Sequence, residues 1–170
     1  MTGQKNATLT VDPEKCTGCR LCEMACSMAH HGILTPLRAR TRVLRLADGR
    51  DHVPVVCQAC EDAPCIKTCP MNARIRTAGH AVVTDEDRCI GCRACAYICP
   101  FGAPTVNPDD GKTLTCDLCA EEEGPPWCVT ACRDHGALGA VDPRQASARR
   151  SRQRAERVRN AYPLKKRTDA

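Results

Sequence analysis

The stretch CIGCRACAYICP, residues 89–100, decides the fold of this chain, because four cysteines recur within it and a proline follows the last of them. Its spacing is C-x2-C-x2-C-x3-C, and the stretch CTGCRLCEMAC at residues 16–26 has the same spacing. Two further groups read C-x2-C-x4-C-x3-C at residues 57–69 and C-x2-C-x8-C-x3-C at residues 116–132. Every cysteine therefore belongs to one of four tetrads, numbered I to IV in chain order: Cys16, Cys19, Cys22 and Cys26; Cys57, Cys60, Cys65 and Cys69; Cys89, Cys92, Cys95 and Cys99; Cys116, Cys119, Cys128 and Cys132.

The spacing within the tetrads suits a [4Fe–4S] cluster, which takes one cysteine thiolate at each of its four irons. Two intervening residues allow a tightly curled loop to present three thiols to three corners of the cube. The fourth thiol must come from elsewhere, and in bacterial two-cluster ferredoxins the fourth cysteine of one run binds the other cluster. We therefore predict four [4Fe–4S] clusters, held by all sixteen cysteines.

Two other uses of dense cysteine are disfavoured. Disulfide scaffolds are typical of exported proteins, whereas residues 1–15 lack the apolar segment of a secretory leader. Cysteine-only zinc sites combine two C-x2-C pairs, an arrangement that would leave the third thiol of tetrads I and III without a role. Iron–sulfur binding is the use that accounts for every thiol.

Apart from cysteine, the chain has little material for a packed core. Its aromatic residues are few, and Tyr97 and Trp127, which lie beside cysteines, are expected to shield the clusters from water. We expect clusters to fill much of the interior and folding to depend on their insertion. No stretch approaches the roughly 18 apolar residues of a membrane span, and without a leader the cytoplasm is the expected location.

The chain has no signature of catalysis of its own. A G-x-G-x-x-G fingerprint and a nucleophile–base pair are both absent from the sequence. His30 and His31 are interpreted as a solvated turn rather than as ligands. We therefore predict that the protein is not an enzyme by itself.

Three hairpins and short helices are predicted between and within the tetrads, which indicates an α+β fold. The hairpins are 41–46 with 51–56, 74–77 with 80–84, and 103–107 with 112–115, and the helices are 22–30 and 128–135. Residues 11–19 are echoed by residues 83–92, which indicates a duplicated unit. We predict two pseudo-symmetric modules, each resembling a bacterial two-cluster ferredoxin, within residues 1–142.

Residues 143–170 form a basic extension, with ten of the 25 Lys and Arg residues but two of the 20 Asp and Glu residues. Helix formers continue over residues 144–161 with only a thin apolar seam, so we predict a docking helix or a partly disordered segment. Nucleic-acid binding is the alternative, and it is disfavoured because Tyr162 is the one aromatic residue of the extension. A further hypothesis is that the basic extension of one protomer contacts an anionic surface of the next protomer. Repeated head-to-tail contacts of this kind would build a filament.

These motifs together resemble a known family, the four-cluster ferredoxin-like subunits of molybdenum- and tungsten-dependent oxidoreductases. The likeness rests on CTGCRLCEMAC at residues 16–26, on the two tetrads followed by Pro70 and Pro100, and on PPWC at residues 125–128. The chain looks most like the compact subunits that accompany tungsten-dependent aldehyde oxidoreductases, and partners of hydrogenase, carbon monoxide dehydrogenase and formate dehydrogenase are similar. The resemblance implies an electron-transfer subunit between a catalytic molybdenum or tungsten subunit and an acceptor such as a flavoprotein.

The same resemblance implies which cysteines share a cluster, because tetrads I and IV would exchange their fourth ligands, as would tetrads II and III. Set 1 would be Cys16, Cys19, Cys22 and Cys132; set 2, Cys116, Cys119, Cys128 and Cys26; set 3, Cys57, Cys60, Cys65 and Cys99; set 4, Cys89, Cys92, Cys95 and Cys69. Ser27 and Arg133 stand where proline follows tetrads II and III, and their backbone N–H groups are expected to hydrogen-bond sulfur in sets 1 and 2.

Overall fold

The computed structural model describes residues 7–47, 49–122, 124–145, 151–152, 155–156 and 159. In this part of the chain, eight short strands pair into four two-stranded antiparallel sheets. The strands are β1 Thr8–Val11, β2 Arg42–Arg45, β3 His52–Val55, β4 Arg74–Arg76, β5 Val82–Thr84, β6 Thr105–Val106, β7 Thr113–Leu114 and β8 Leu138–Val141. Before residue 142 the helices are α1 Leu21–His31, α2 Pro64–Lys67, α3 Ala94–Tyr97 and α4 Trp127–Ala131, with 3-10 turns at Pro13–Lys15 and Pro36–Arg38.

The three predicted hairpins are all present. β2 pairs with β3, β4 with β5 and β6 with β7, each time in antiparallel fashion. The first chain reversal contains Gly49, which has a φ of +72° and donates its N–H to the Leu46 carbonyl at 2.9 Å. Asp48, the other predicted turn residue, lies outside the described residues. Local turn residues thus account for three of the four sheets.

The fourth sheet joins the two ends of the cysteine-rich region and was not predicted. β1 pairs with β8, with Val11 opposite Leu138, and the N–H of Asp12 donates to the Ala137 carbonyl at 2.8 Å. Beside this sheet, α1 packs against α4. Tetrads I and IV, which lie at opposite ends of the cysteine-rich sequence, are therefore neighbours in space.

Helix α1 carries Cys22 and Cys26, and α4 carries Cys128 and is capped by Cys132, so both predicted helices are present, although their lengths differ from the prediction. α1 extends one residue beyond the predicted 22–30 at each end, and it terminates at Gly32, which has a φ of +65° and donates its N–H to the Met28 carbonyl. α4 ends at Ala131, short of the predicted residue 135, because the chain leaves the helix there and turns towards β8. The N–H of Gly136 closes that turn on the Cys132 carbonyl at 2.7 Å.

The core consists mainly of thiols and aliphatic side chains. Leu9 and Val56 are each 1 % exposed. They belong to the same buried cluster as Cys22, Cys116 and Cys128. The expectation that cysteines occupy much of the interior is confirmed for the described residues.

The aromatic side chains of the described residues lie outside this core. Tyr97 is 85 % exposed, Phe101 49 % and Trp127 39 %. The expectation that Tyr97 shields a cluster is therefore wrong, because α3 directs the ring into solvent.

The basic extension is described only in part. Residues 143–145, 151–152, 155–156 and 159 are helical. The remainder of the predicted helix 144–161 lies outside the described residues. Among the described residues, no helix has both the length and the apolar character needed to cross a membrane.

Replacing Leu9 with alanine should weaken folding and cluster retention together, because Leu9 packs directly in the thiol-containing core. The cavity should cost about 2–5 kcal/mol of unfolding free energy. Guanidinium unfolding of the anaerobic holoprotein should show lower midpoints in both circular dichroism and cluster absorbance. Leu46→Ala is the control, because Leu46 is 45 % exposed, and equal losses in the two variants would contradict this account.

Candidate metal centre

Two cavities are each lined by four cysteines, and in each case the four belong to one predicted set. The first is lined by set 1, Cys16, Cys19, Cys22 and Cys132. The second is lined by set 4, Cys69, Cys89, Cys92 and Cys95. In both cavities the fourth thiol comes from a different tetrad than the other three. Four converging thiols are the donors that an iron–sulfur cluster requires, which is the first sign that these residues fit the cofactor.

The set 2 cysteines lie in the interior of the protein. Cys26, Cys116, Cys119 and Cys128 are all buried. Burial raises the pKa of the Cys128 thiol, and the nearby Cys26 and Cys119 raise it further. The thiol that tetrad I contributes to set 2 therefore lies beside those of tetrad IV.

Three set 3 cysteines are also neighbours. Burial raises the pKa of the Cys57 thiol, and Cys65 and Cys60 add to that effect. Cys65 lies in α2, which packs against α3, and Cys99 follows α3 by two residues. This helix contact brings the segment that carries Cys99 to tetrad II.

Left-handed backbone conformations shape the loops of tetrads I and III in the same way. Gly18 and Gly91 occupy equivalent positions, with φ of +73° and +68°. Arg20 and Arg93, two residues later, have φ of 61° and 64° and directly precede α1 and α3. The glycines were visible in the sequence, whereas the left-handed arginines carried no recognisable signal, because side chains rarely favour this conformation.

Backbone N–H groups reach sulfur at the fourth cysteines of tetrads I and II. Arg40 donates to Cys26 Sγ at 3.2 Å, and Ala73 donates to Cys69 Sγ at 3.3 Å. The donors expected from the sequence differ from these. Ser27 lies within α1, and the N–H of Arg133 donates to the Thr130 carbonyl at 3.3 Å. The prediction that these two N–H groups bond sulfur is therefore wrong, because backbone carbonyls of the adjacent helices take such donors.

A partly buried ion pair, His30 with Asp117, lies beside the set 2 cysteines. His30 donates through Nδ1 to the Cys26 carbonyl at 2.8 Å and through Nε2 to Asp117 Oδ1 at 2.9 Å. Arg40 Nη1 lies 2.8 Å from Asp117 Oδ2, and the N–H of Cys119 donates to Asp117 Oδ1 at 3.0 Å. The interpretation of His30 as a solvated turn residue is wrong, because its side chain is 11 % exposed and lies in α1.

The charges of this pair are mutually stabilised. Burial by itself favours neutral side chains, but the hydrogen bond to Asp117 raises the pKa of His30 to about 10. The same bond, with the charge of Arg40, lowers the pKa of Asp117 to about 2 against the opposing effect of burial. His30 and Asp117 therefore connect the loop of tetrad IV to α1 as an ion pair at neutral pH.

The thiols themselves need a positive partner. Burial and the neighbouring Glu23 carboxylate raise the pKa of Cys22 to about 12. Burial also raises the pKa of Cys116 well above its ordinary value, with Cys128 adding to the shift. Without a cation these thiols would stay protonated at neutral pH, whereas metal binding requires and stabilises the thiolate. The donor set therefore fits iron–sulfur clusters in chemistry as well as in arrangement.

Two family models match the chain. A 4Fe-4S dicluster domain matches residues 50–141, which include tetrads II, III and IV, and a 4Fe-4S binding domain matches residues 8–33, which include tetrad I. The chain belongs to the 4Fe-4S dicluster family.

Three relatives align with most of the chain. The polyferredoxin-like subunit of aliphatic sulfonate oxidoreductase from Pyrococcus furiosus is 41 % identical over 141 residues, covering 81 % of this chain and 79 % of the relative. Electron transport protein HydN from Escherichia coli is 36 % identical over 157 residues, with 81 % and 89 % covered. One subunit of anaerobic dimethyl sulfoxide reductase from Escherichia coli is 34 % identical over 164 residues, with 78 % and 79 % covered.

The family match and the donor sets agree on the cofactor and on the kind of protein. The chain binds [4Fe–4S] clusters, and its sixteen cysteines are enough to supply four ligands to each of four clusters. The relatives are named as electron-transport proteins or oxidoreductase subunits. The chain is an iron–sulfur electron-transfer protein and not an enzyme by itself.

Replacing Gly91 with alanine should disrupt the loop of tetrad III. An added Cβ would lie 2.9 Å from the Gly111 carbonyl oxygen, at a φ of +68° that alanine adopts poorly. Iron content of the anaerobically purified protein should fall by about four atoms, the content of one cluster. Gly111→Ala is the matched control, with a φ of +71° and nothing within 4 Å of the added Cβ. Equal iron content in the two variants would show that the close approach is unimportant.

Proposed function

We propose that this chain is the subunit that carries single electrons between a catalytic subunit and an acceptor subunit of one oxidoreductase complex. Each [4Fe–4S] cluster, when bound, takes up and releases one electron at a time. The observation that carries the proposal is that two of the sixteen cysteines are exposed, Cys19 in tetrad I and Cys92 in tetrad III, while the others are buried or half-buried. The protein's part is to fix the positions of the sets and to keep water from the inner ones.

The ligand assignment within this proposal follows the four sets: Cys16, Cys19, Cys22 and Cys132; Cys116, Cys119, Cys128 and Cys26; Cys57, Cys60, Cys65 and Cys99; Cys89, Cys92, Cys95 and Cys69. Support comes from the two cavities lined by complete sets 1 and 4. It also comes from the proximity of Cys26 to Cys128 and from the contact between α2 and α3.

The order of the sets is supported by contacts between successive sets. Cys22 of set 1 lies close enough to Cys128 of set 2 to raise the pKa of the Cys128 thiol. In the same way, Cys57 of set 3 raises the pKa of the Cys116 thiol of set 2. Arg74 reaches Cys65 of set 3 and also lines the cavity of set 4. Electrons would therefore pass in the order 1, 2, 3, 4 or its reverse.

Exposure favours sets 1 and 4 as the points where electrons enter and leave. Cys19 and Cys92 are the exposed cysteines of the sixteen. Apolar side chains beside them are exposed too, with Leu21 at 52 % and Ile90 at 64 %. Apolar surface around an exposed cluster ligand suits a subunit contact from which water is excluded.

We further propose that residues 1–142 comprise two pseudo-symmetric modules, one from tetrads I and IV and one from tetrads II and III, followed by the extension at 143–170. Equivalent hydrogen bonds support the symmetry. The N–H of Asp12 donates to the Ala137 carbonyl at 2.8 Å, and the N–H of Asp85 donates to the Ala73 carbonyl at 2.7 Å. In each module, the strand before a C-x2-C-x2-C run pairs with the strand after the other tetrad: β1 pairs with β8, and β5 pairs with β4.

For the catalytic partner we infer a molybdenum or tungsten subunit, specifically a tungsten-dependent aldehyde oxidoreductase, and for the acceptor a flavoprotein in the cytoplasm. The inference is supported by the compact tetrad pattern and by relatives that are themselves oxidoreductase subunits. Head-to-tail self-association depends on the basic extension, most of which lies outside the described residues, and it stays a prediction.

The exchange of fourth ligands can be tested with serine variants. Cys132→Ser should perturb the same electron paramagnetic resonance signal as Cys19→Ser, because both would alter set 1. Cys26→Ser should instead match Cys116→Ser, because both would alter set 2. If Cys132→Ser matched Cys116→Ser and Cys26→Ser matched Cys19→Ser, each tetrad would bind its own cluster and the assignment would fail.

The partner can be identified by anaerobic purification of the tagged chain from its natural host. We expect a large subunit to copurify with tungsten or molybdenum, and an aldehyde substrate of that subunit to bleach the cluster absorbance of the complex. A nickel-containing partner would instead indicate a hydrogenase or carbon monoxide dehydrogenase, and a response to formate would indicate a formate dehydrogenase. Purification with nucleic acid and without a redox subunit would contradict the electron-transfer proposal.

A further inference from the structure

Arg74 is buried between two of the proposed thiol sets. It begins β4, lies opposite Thr84 of β5 and is 3 % exposed. Its Nη1 donates to Thr84 Oγ1 at 2.6 Å and to Thr115 Oγ1 at 2.5 Å. Its Nη2 lies 3.8 Å from Cys65 Sγ, a set 3 thiol, and the residue also lines the set 4 cavity. One guanidinium therefore adjoins both sets.

Within the described part of the chain, no carboxylate forms an ion pair with Arg74. Its hydrogen-bonding partners are two neutral hydroxyls and a sulfur atom, and Nε has no partner. By contrast, Arg20 and Arg40 are paired with carboxylates. An arginine stays charged in proteins, and a buried charge without a counterion is strongly disfavoured. The surroundings of Arg74 therefore require an anion that the side chains do not supply.

Iron–sulfur clusters with four thiolate ligands carry the missing negative charge. The guanidinium lies beside thiols of both sets. Its Nη2 is 3.8 Å from Cys65 Sγ of set 3, and Arg74 lines the cavity that is also lined by Cys69, Cys89, Cys92 and Cys95 of set 4.

The other proposed module has an apolar residue at the equivalent position. Ala73 and Ala137 accept the two equivalent hydrogen bonds, so Arg74 and Leu138, the next residues, correspond. Each begins a strand and lies opposite a residue of the strand that leads into tetrad III or tetrad I, respectively. Leu138 is 4 % exposed and lines the set 1 cavity, as Arg74 lines the set 4 cavity. At this position, the two proposed modules thus differ by one buried positive charge.

We propose that Arg74 is the shared counterion of the clusters in sets 3 and 4 and that it raises their reduction potentials. A fixed positive charge favours the redox state with more negative charge, which is the reduced one, and nearby charge is one of the factors that set cluster potentials. Arg74 acts on the clusters through its charge and is not a ligand. This proposal rests on the ligand sets proposed above.

The test is a redox titration of full-length holoprotein under anaerobic conditions, followed by electron paramagnetic resonance. In Arg74→Gln, the two midpoint potentials assigned to sets 3 and 4 by serine variants of their ligands should become more negative, while the other two stay unchanged. Arg45→Gln is the matched control, because Arg45 lies in an exposed part of β2, and it should leave all four potentials unchanged. Unchanged potentials in an iron-replete Arg74→Gln protein would overturn the proposal.

A lysine variant decides the outcome if Arg74→Gln fails to assemble. Lysine keeps the charge but cannot reproduce the forked hydrogen bonds. The proposal predicts that Arg74→Lys retains its iron and has potentials close to those of the natural protein. Failure of Arg74→Lys to assemble would overturn it, because hydrogen-bond geometry rather than charge would then be what matters. A natural protein without iron would instead contradict the proposed cluster binding, so the two failures are distinguishable.

Discussion

The bond between cysteine thiolate and iron is the constraint on which the rest of this structure depends. Buried thiols occupy positions where most small domains place large apolar side chains, and the aromatic residues in the described part of the chain, Tyr97, Phe101 and Trp127, lie at the surface. A strand of two to four residues buries too little area to be stable alone. Because the raised pKa values of Cys22 and Cys116 disfavour free thiolates, cluster insertion and folding stabilise one another.

That constraint explains the order of the tetrads along the chain. The outer tetrads, I and IV, lie together in space but on either side of the inner tetrads in the sequence, so the chain is not two consecutive modules. A loop that wraps three corners of a cube cannot easily provide the fourth thiol, and in the proposed ligand sets the fourth thiol of each cluster comes from another tetrad. The β1–β8 sheet and the packing of α1 on α4 bring tetrad IV back to tetrad I around the inner tetrads. The partly buried pair of His30 and Asp117 connects the same two tetrads through side chains. The proposed exchange of ligands and the chain topology thus meet the same requirement.

Local features were predictable from the sequence, and the association of tetrad I with IV and of II with III was expected from the family resemblance, whereas individual long-range contacts were not predictable. The hairpins follow from turn residues a few positions apart, and the family and cofactor follow from cysteine spacing. The β1–β8 sheet was missed because short strands at residues 8–11 and 138–141 have no turn to connect them. His30 was misread because its partner, Asp117, lies in a loop 87 residues away. Arg74 was missed because a charged residue in a short strand is normally solvated, and only the fold reveals that it is buried.

The comparison of Arg74 with Leu138 shows how a duplicated fold can acquire direction without changing its ligands. Both proposed modules would hold their clusters with cysteine alone, so the sulfur donors cannot distinguish them. Solvent exposure does not distinguish their outermost sets either, because Cys19 and Cys92 are both exposed. A buried charge does, since its field is weakly screened in the interior and extends to both neighbouring clusters. On the proposal made for Arg74, this one strand residue makes the two clusters beside it easier to reduce than they would be with leucine at the same position.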